Sequence, residues 1–330
     1  MMPTPLGPGA EFDRIRHFLA SARSGDPQRV VVGPGDDAAV IDAGRLAIST
    51  DMSLEGIHFM REWLTPEQMG ARAACVALSD LAACAARPFG VLVSLAVPHE
   101  GPADLAEAIM NGLRNAVEES GAVLLGGDLA RSPGPIVIDV TAIGTVEHAV
   151  LRSGAQPGDS LWVTGTLGGA ASAVQDLLDG KVPDSDALRA YVAPAARFRE
   201  ANWLAARGVP NALIDLSDGL GGDAAHLAAA SSARMIIDAA ALPIHPAAVA
   251  RGARAAQSLA LGGGDDYELC FAARAGAAEL VRDDFTRAFG VPLTRVGEVS
   301  QGSGVMLRAV DGQLLAMPAV GFDHFARRPA

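Results

Sequence analysis

Short acidic clusters recur along the chain, and the first of them constrains what the rest can form. Residues 33–39 place two adjacent carboxylates, Asp36 and Asp37, between a pair of glycines and an apolar run. Further carboxylates beside small residues follow in Ser49-Thr50-Asp51, Leu78-Ser79-Asp80, Gly126-Gly127-Asp128, Asp215-Leu216-Ser217-Asp218-Gly219 and Gly262-Gly263-Gly264-Asp265-Asp266. If these clusters converge in the fold, their oxygen atoms form a site for a hard cation such as Mg²⁺, which takes oxygen ligands.

Length and composition predict a two-domain α/β (α+β) protein. The 330 residues are 50% hydrophobic, with 37 glycines and few aromatic residues, which is typical of tightly packed α/β domains. A polar, turn-rich stretch at residues 152–159 precedes a new strand. We therefore expect one domain over residues 1–150 and a second over residues 151–330.

Charge and cysteine content exclude several classes of partner. The net charge of −12 argues against nucleic acid, because no basic stripe is available to bind phosphates. No apolar run approaches the ~18 residues that a membrane span needs. The three cysteines lack C-x-x-C spacing, so we expect free thiols in a reducing, cytoplasmic compartment.

Periodicity predicts the main helices and strands. Residues 11–22, 66–86, 102–120 and 187–206 are expected to be helical, with Thr65 and Pro66 starting the second of these. A strand at residues 123–125 is expected to end before Gly126. Asp80 lies inside the Ala-rich second helix, where a charged side chain is costly unless it is paired or metal-bound.

The motifs that are missing narrow the chemistry. Lys181 is the only lysine and no Ser or Thr follows it, so neither a Walker A loop nor a protein-kinase strand lysine is present. No G-x-S-x-G elbow occurs, and no cysteine has a histidine partner close in sequence. Phosphate chemistry would therefore depend on metal ions and arginine. His58, seven residues after Asp51, would by itself be read as an ordinary packing or surface residue.

The motifs in their order along the chain resemble those of the thiamine-monophosphate kinase family, in the aminoimidazole-ribonucleotide-synthetase-like superfamily. The resemblance rests on Gly35-Asp36-Asp37-Ala38-Ala39, Ser49-Thr50-Asp51, Glu55-Gly56-Ile57-His58-Phe59, Leu78-Ser79-Asp80-Leu81-Ala82-Ala83, Gly126-Gly127-Asp128, Leu151-Arg152-Ser153-Gly154-Ala155-Gln156-Pro157-Gly158-Asp159, Asp215-Leu216-Ser217-Asp218-Gly219-Leu220, Asp266-Tyr267-Glu268-Leu269 and the closing Gly321-Phe322-Asp323-His324-Phe325. It extends from about residue 11 to residue 325.

The resemblance implies an activity and a set of site residues. The activity is ATP-dependent phosphorylation of thiamine monophosphate to thiamine diphosphate, in a homodimer whose N-terminal sheets pair. The implied magnesium ligands are Asp37, Ser49, Thr50, Asp51, Asp80, Asp128, Asp215 and Asp218. The implied ATP contacts are Gly127, Asp128, Arg152 and Ser217, and the implied substrate contacts are His58, Asp265 and Phe322.

Two of these positions depart from the family pattern, and no residue stands out as a catalytic base. The family usually has Glu at the position of Asp265, and often Tyr or Trp at the position of Phe322.

An attacking phosphate oxygen is already anionic, so neither a general base nor a covalent nucleophile is expected. Several Mg²⁺ ions held by aspartates would screen the phosphate charges during in-line transfer.

Alternative members of the superfamily fit less well. Selenophosphate synthetase would require a reactive Cys and Lys near the N-terminus, and the hydrogenase-maturation member a C-terminal Cys, whereas this sequence ends Arg327-Arg328-Pro329-Ala330. Aminoimidazole ribonucleotide synthetase is the nearest remaining enzyme. A non-catalytic, nucleotide- or Mg²⁺-sensing dimer would also use an aspartate cage, and turnover of ATP distinguishes it from an enzyme.

Overall fold

The computed structural model describes residues 30–32, 39–41, 44–100, 102 and 104–317. The strands are β1 Val30–Val32, β2 Ala39–Ile41, β3 Leu46–Leu54, β4 Arg87–Pro98, β5 Val123–Ser132, β6 Val137–Thr145, β7 Ser160–Thr164, β8 Ala212–Asp215, β9 Arg234–Asp238, β10 Leu269–Ala273, β11 Leu293–Ser300, β12 Gly304–Arg308 and β13 Leu314–Ala316. The helices are α1 Pro66–Ala83, α2 Leu105–Glu119, α3 Gly169–Leu178, α4 Ser185–Val192, α5 Phe198–Ala205, α6 Leu220–Ser231, α7 Pro246–Val249, α8 Ala253–Gly262 and α9 Ala277–Phe289, with a 3₁₀ turn at Ala239–Ala241.

Two mixed sheets confirm the predicted α/β architecture. The first has the order β1-β2-β3-β6-β4-β5, in which only β4 and β5 run parallel. The second has the order β13-β12-β9-β11-β7-β10-β8, in which only β9 and β12 run parallel. Helices α1 and α2 pack on the first sheet, whereas α6 packs against strands of the second. One buried apolar cluster lies mainly in the first half and one in the second, and a third joins Ala82 and Ala85, at the end of α1, to Trp162 and Phe271 of the second half.

Helix α1 begins where the sequence predicts and connects the two halves. The Thr65 hydroxyl accepts a hydrogen bond from the Gln68 amide at 3.3 Å, and the Gln68 side chain accepts one from the Thr65 amide at 2.8 Å. This capping box and Pro66 define the first turn. One face of α1 packs on β3 and β6, and other positions contact α5 and β8 of the second half.

Several boundaries differ from those that periodicity predicts. Helix α1 ends at Ala83 rather than at residue 86, because Ala85 adopts a left-handed conformation. Strand β5 continues through Gly126 and Gly127 to Ser132, since pairing with β4 outweighs the weak strand propensity of glycine. The helix expected at residues 187–206 is two helices, α4 and α5, separated around Pro194, which cannot donate a helical hydrogen bond. The helix predicted at residues 11–22 lies outside the described residues.

Among the residues that the structure describes, no helix is long and apolar enough to cross a membrane.

The crossing of α1 and α2 depends on two glycines. A Cβ atom on Gly70 would lie 1.9 Å from the Ile109 carbonyl oxygen, and one on Gly112 would lie 1.9 Å from that of Glu67. Such distances are incompatible with a side chain unless the helices separate. Glycine therefore sets how closely these helices approach, although it lowers helix propensity.

We predict that Gly70→Ala destabilises the protein. In an open helix this change would stabilise by roughly 0.5–1 kcal/mol, but here the methyl group meets backbone, and overpacking typically costs about 1–3 kcal/mol. Equilibrium unfolding in urea measures the difference. Gly134→Ala is the matched control, because a Cβ there meets nothing within 4 Å and should leave the midpoint unchanged. An equal midpoint for Gly70→Ala would contradict the close-approach explanation.

Candidate functional site

A cavity of about 740 Å³ is lined by residues from both halves of the chain. The first half supplies the carboxylate of Asp51, the imidazole of His58 and the guanidinium of Arg72. The second half supplies Ser217, Asp218, Asp265, and the aromatic rings of Tyr191 and Tyr267. This cavity brings together several of the site residues expected from the sequence.

Helix α1 supplies hydroxyl and carboxylate groups to both halves of the acidic region. The Ser79 hydroxyl donates a 2.6 Å hydrogen bond to Asp215 at the end of β8. The neighbouring Asp80 carboxylate accepts a hydrogen bond from the Ser49 hydroxyl of β3. Two adjacent residues of one helix therefore contact the predicted metal ligands of both sheets.

The carboxyl group of Asp51 is held with other negative groups nearby. Burial raises its pKa to about 6; Arg72 opposes this shift, whereas Asp139 and Asp265 add to it. Ionising this group thus costs more than ionising an ordinary aspartate. A bound cation would remove that cost, which is the behaviour expected of a metal ligand.

A second group of carboxylates surrounds the loop before α6. Asp223, in the first turn of α6, accepts a 3.2 Å hydrogen bond from the Asp218 amide. Burial raises the pKa of Asp223 well above its ordinary value, the charges of Asp218 and Asp215 raise it further, and Arg152 lowers it. Asp215, Asp218 and Arg152 therefore share one electrostatic environment.

Two predicted metal ligands lie on the outer face of the first sheet. The register places Thr50 and Asp128 on the opposite face from Ser49 and Asp51, because successive side chains alternate along a strand. The Thr50 hydroxyl donates to Asp139 at 3.2 Å, and Asp128 is exposed. Beside Asp128, a Cβ on Gly127 would lie 2.0 Å from the Val93 carbonyl oxygen, so strand pairing itself requires this glycine.

His58 is fixed by the turn that follows β3. Its Nδ1 accepts a 3.0 Å hydrogen bond from the Leu54 amide, and its own amide donates to the Leu54 carbonyl at 2.9 Å. The neutral ring therefore carries its proton on Nε2. Gly56, with φ of 86°, allows the chain to turn here so that His58 lines the cavity.

Asp265 is paired with a residue of the first half. Its Oδ1 accepts a 2.6 Å hydrogen bond from Arg72 and a 3.1 Å hydrogen bond from the Tyr267 hydroxyl. Arg72 also stacks on the ring of Tyr191, with its guanidinium carbon 4.4 Å from the ring centre. Asp265, a predicted substrate contact, thus forms an ion pair with a residue of the first half.

The donor atoms fit Mg²⁺ in kind. Ser49, Asp51, Asp80, Asp215 and Asp218 offer hydroxyl and carboxylate oxygens, and Mg²⁺ needs few protein ligands because it keeps several waters. No group of three His, Cys, Asp or Glu side chains within the described ranges is arranged to hold a metal. Asp37 and Phe322, the remaining predicted ligand and substrate contact, lie outside the residues that the structure describes.

Three charged residues of this region escaped the sequence-based prediction. Arg72 carried a usable signal, since it is a charged residue within an Ala-rich helix, the same argument that singled out Asp80. Asp223 follows Asp218 by five residues but has no distinctive motif. Asp139 lies in a regularly alternating strand, where a polar residue on the half-buried face is ordinary.

Family profiles match both halves of the chain. The profile described as AIR synthase related protein, N-terminal domain, matches residues 35–146, and that of the C-terminal domain matches residues 156–309. Together they span well over half of the chain. They define its class as the AIR synthase related proteins.

Individual relatives refine this class. Thiamine-monophosphate kinase from Escherichia coli K12 is 34% identical over 96% of this chain and 98% of its own. The crystal structure of thiamine-monophosphate kinase from Stenotrophomonas maltophilia K279a is 34% identical, with a TM-score of 0.75 over 94% of this chain and 98% of that one. AaThiL complexed with AMPPCP and TMP is 29% identical, with a TM-score of 0.79 over 95% and 96% of the two chains. The chain belongs to the thiamine-monophosphate kinase family, which confirms the resemblance seen in the sequence.

We predict that Asp51→Asn stabilises the metal-free protein at neutral pH. The pKa of Asp51 is higher in the folded than in the unfolded state, so the unfolded state binds fewer protons between about pH 4 and pH 6. The free energy of unfolding of the wild type therefore falls as the pH rises through this window. Asparagine does not titrate, so the variant lacks this decrease. Above pH 6 the variant should be more stable by about 1–3 kcal/mol.

Urea unfolding in the presence of a chelator, at several pH values, measures this difference. The exposed Asp186, which pairs with Arg189, provides the control variant Asp186→Asn, which should follow the wild-type pH curve. A lower stability of Asp51→Asn at pH 7 would show instead that the charged carboxylate stabilises the fold.

Proposed function

We propose that the protein phosphorylates thiamine monophosphate with ATP, giving thiamine diphosphate and ADP, as a step of thiamine diphosphate biosynthesis. The observation that carries this proposal is the likeness, over nearly the whole of both chains, to AaThiL complexed with AMPPCP, an ATP analogue, and TMP. A cavity with acidic groups at Asp51 and Asp218 and aromatic side chains elsewhere suits a substrate with a cationic thiazolium ring and a phosphate that would be bound through Mg²⁺.

The reaction is a direct phosphoryl transfer. A phosphate oxygen of thiamine monophosphate forms a bond to the γ-phosphorus of ATP, the bond to the β,γ-bridging oxygen breaks, and ADP leaves with that electron pair. Because the attacking oxygen is anionic, the step requires positioning and charge neutralisation rather than a base. Bound Mg²⁺ ions would neutralise charge on the phosphates of both substrates.

The family pattern implies Mg²⁺ ligands at Asp37, Ser49, Thr50, Asp51, Asp80, Asp128, Asp215 and Asp218. Because Thr50 and Asp128 lie on the outer face of the first sheet, we assign the metal site beside the cavity to the other six. The pattern also implies ATP contacts at Gly127, Asp128, Arg152 and Ser217, and Arg152 can give phosphate a forked contact. His58, Asp265 and Phe322 contact thiamine monophosphate. The hydrogen bonds of Ser49 to Asp80 and of Ser79 to Asp215 support a shared acidic site around α1.

The proposal includes the expected organisation of the molecule. We place the domain boundary between residues 150 and 151, between β6 and β7, the last strand of one sheet and the first of the other. We also place the protein in the cytoplasm, since ATP and free thiols such as Cys84 and Cys270 belong to a reducing compartment.

A steady-state assay tests the activity. ADP release should require both thiamine monophosphate and Mg²⁺, and thiamine diphosphate should accumulate in equal amount. Asp80→Asn should lower kcat by about 100-fold or more, because a preorganised charged group at the reacting phosphates is lost. The exposed control Asp186→Asn should match the wild type. Binding of ATP without ADP release for any acceptor would identify a nucleotide sensor instead.

We further propose that the chain forms a homodimer through the outer face of the first sheet. Large apolar side chains are exposed there, including Met52 on β3 (53% exposed) and Leu92 on β4 (41% exposed). Apolar patches on a sheet face commonly mark an interface between proteins.

Light scattering coupled to gel filtration should therefore give twice the chain mass, about two times 33.7 kDa. Leu92→Glu should shift the protein towards the monomer, because the new charge would be buried at the interface. Leu280→Glu on α9, where the side chain is 86% exposed, is the control and should remain dimeric. A monomeric wild-type protein at assay concentration would contradict the proposed dimer.

A further inference from the structure

Arg72 is a buried cation at the wall of the cavity. The residue is 4% exposed, and its guanidinium group lies near two aromatic rings, 4.4 Å from the centre of Tyr191 and 5.9 Å from that of Tyr267. It donates hydrogen bonds to the Tyr191 carbonyl and to Asp265. Burial alone would lower the pKa of Arg72, but Asp265 and the two tyrosines raise it, so the side chain stays charged.

The hydrogen bonds to Asp265 occupy one of its two carboxylate oxygens. Oδ1 accepts from both Arg72 and the Tyr267 hydroxyl, at 2.6 and 3.1 Å. No group of the described part of the chain donates to Oδ2. The Asp265 side chain remains 30% exposed and lines the cavity. One oxygen is therefore anchored, and the other is available to a ligand.

The backbone around Asp265 has an unfavourable conformation, which backbone hydrogen bonds to a neighbouring segment stabilise. Asp265 and Tyr267 both have positive φ angles, 62° and 49°, which residues with a side chain rarely adopt. Their amides donate to the carbonyls of Ser217 and Leu216, both at 2.8 Å. The loop is thereby attached to the segment that carries Ser217 and Asp218. A side chain held in this way has a defined orientation before any substrate arrives.

We propose that Arg72 is a positioning residue that orients Asp265 to accept a hydrogen bond from the amino group of the aminopyrimidine ring of thiamine monophosphate. The inference rests on the proposed function and adds a residue to it. Arg72 itself acts from α1 of the first half, whereas Asp265 belongs to the second. Substrate recognition thus depends on a contact between the two halves.

The ion pair also decides which part of the substrate Asp265 recognises. A lone carboxylate could offset the charge of the thiazolium ring or accept a hydrogen bond from the aminopyrimidine. Because Arg72 already neutralises Asp265, the pair carries no net charge and has little attraction for a distant cation. An oriented lone pair on Oδ2 still accepts a hydrogen bond, and such a bond distinguishes an amino group from an oxo group.

The test compares thiamine monophosphate with oxythiamine monophosphate, in which an oxo group replaces the amino group. Wild-type kcat/KM should favour thiamine monophosphate at least about tenfold, the effect of losing one charge-assisted hydrogen bond. Arg72→Gln should raise the KM for thiamine monophosphate about tenfold or more and reduce the preference to about threefold or less, with the KM for ATP within twofold. Arg72→Lys keeps a charge and a donor for Asp265 but loses the planar fork that also contacts Tyr191, so it should recover only part of both values.

Calorimetric titration of thiamine monophosphate into the protein without ATP gives a second readout. Arg72→Gln should weaken binding by a similar factor while the stoichiometry stays that of the wild type. The exposed Arg189 supplies the control Arg189→Gln, which should change neither KM nor affinity. A fall in stoichiometry, or equal increases in both KM values, would mean that Arg72 only supports the fold and would overturn the proposal.

A milder variant keeps the proposal testable if Arg72→Gln does not fold. Tyr267→Phe removes only the 3.1 Å hydrogen bond to Oδ1 and should raise the KM for thiamine monophosphate about threefold, again without affecting ATP. An unchanged preference between the two substrates in both variants would also overturn the proposal. If the wild type turns over neither substrate, the proposed function fails first, and this result is distinct from an active enzyme that is insensitive to Arg72.

Discussion

The hydrogen bond from Ser79 to Asp215 connects the acidic groups of the two sheets, and the rest of the site depends on it. Ser79 is fully buried, so the bond forms away from solvent, where loss of a hydrogen bond to a buried carboxylate is costly. The next residue, Asp80, contacts Ser49 on the other sheet. A single rigid helix thereby fixes both groups of carboxylates relative to each other, which neither sheet could do alone.

This arrangement collects more negative charge than the protein itself neutralises. Asp51 and Asp223 both have raised pKa values, because burial and neighbouring carboxylates disfavour their ionised forms. Among the described residues that line the cavity, Arg72 carries the one guanidinium, and it is paired with Asp265. The remaining negative charge destabilises the metal-free fold, and it would attract the Mg²⁺ ions of the proposed reaction.

Sequence alone predicted the α/β class, the start of α1 and the family, since these depend on local signals: a Thr cap followed by Pro, apolar periodicity and motif order. It could not predict that Asp128 lies on the opposite face from Asp51, because that follows from the register of β5 with β4 and of β4 with β6. The continuation of β5 through its glycines depends on pairing with β4, another non-local effect. Arg72 was overlooked because its partners, Tyr191 and Asp265, are distant in sequence. Only the fold shows that these two residues surround the buried guanidinium and stabilise its charge.

Helix α1 also fixes a distance within the site. Arg72 and Ser79 are seven residues apart, close to two full turns, so they lie on nearly the same face and are separated by a rise of ~10.5 Å along the helix, with Asp80 next to Ser79. Arg72 contacts Asp265 in the wall of the cavity, whereas Ser79 and Asp80 contact Asp215 and Ser49. Under the proposed roles of Asp265 and Asp80, a substrate with an aromatic ring at one end and a phosphate at the other would meet two recognition elements attached to one rigid helix. Because a helix resists stretching, recognition of the ring would then constrain where the phosphate can lie, and binding energy at Asp265 would contribute to positioning at the reacting end.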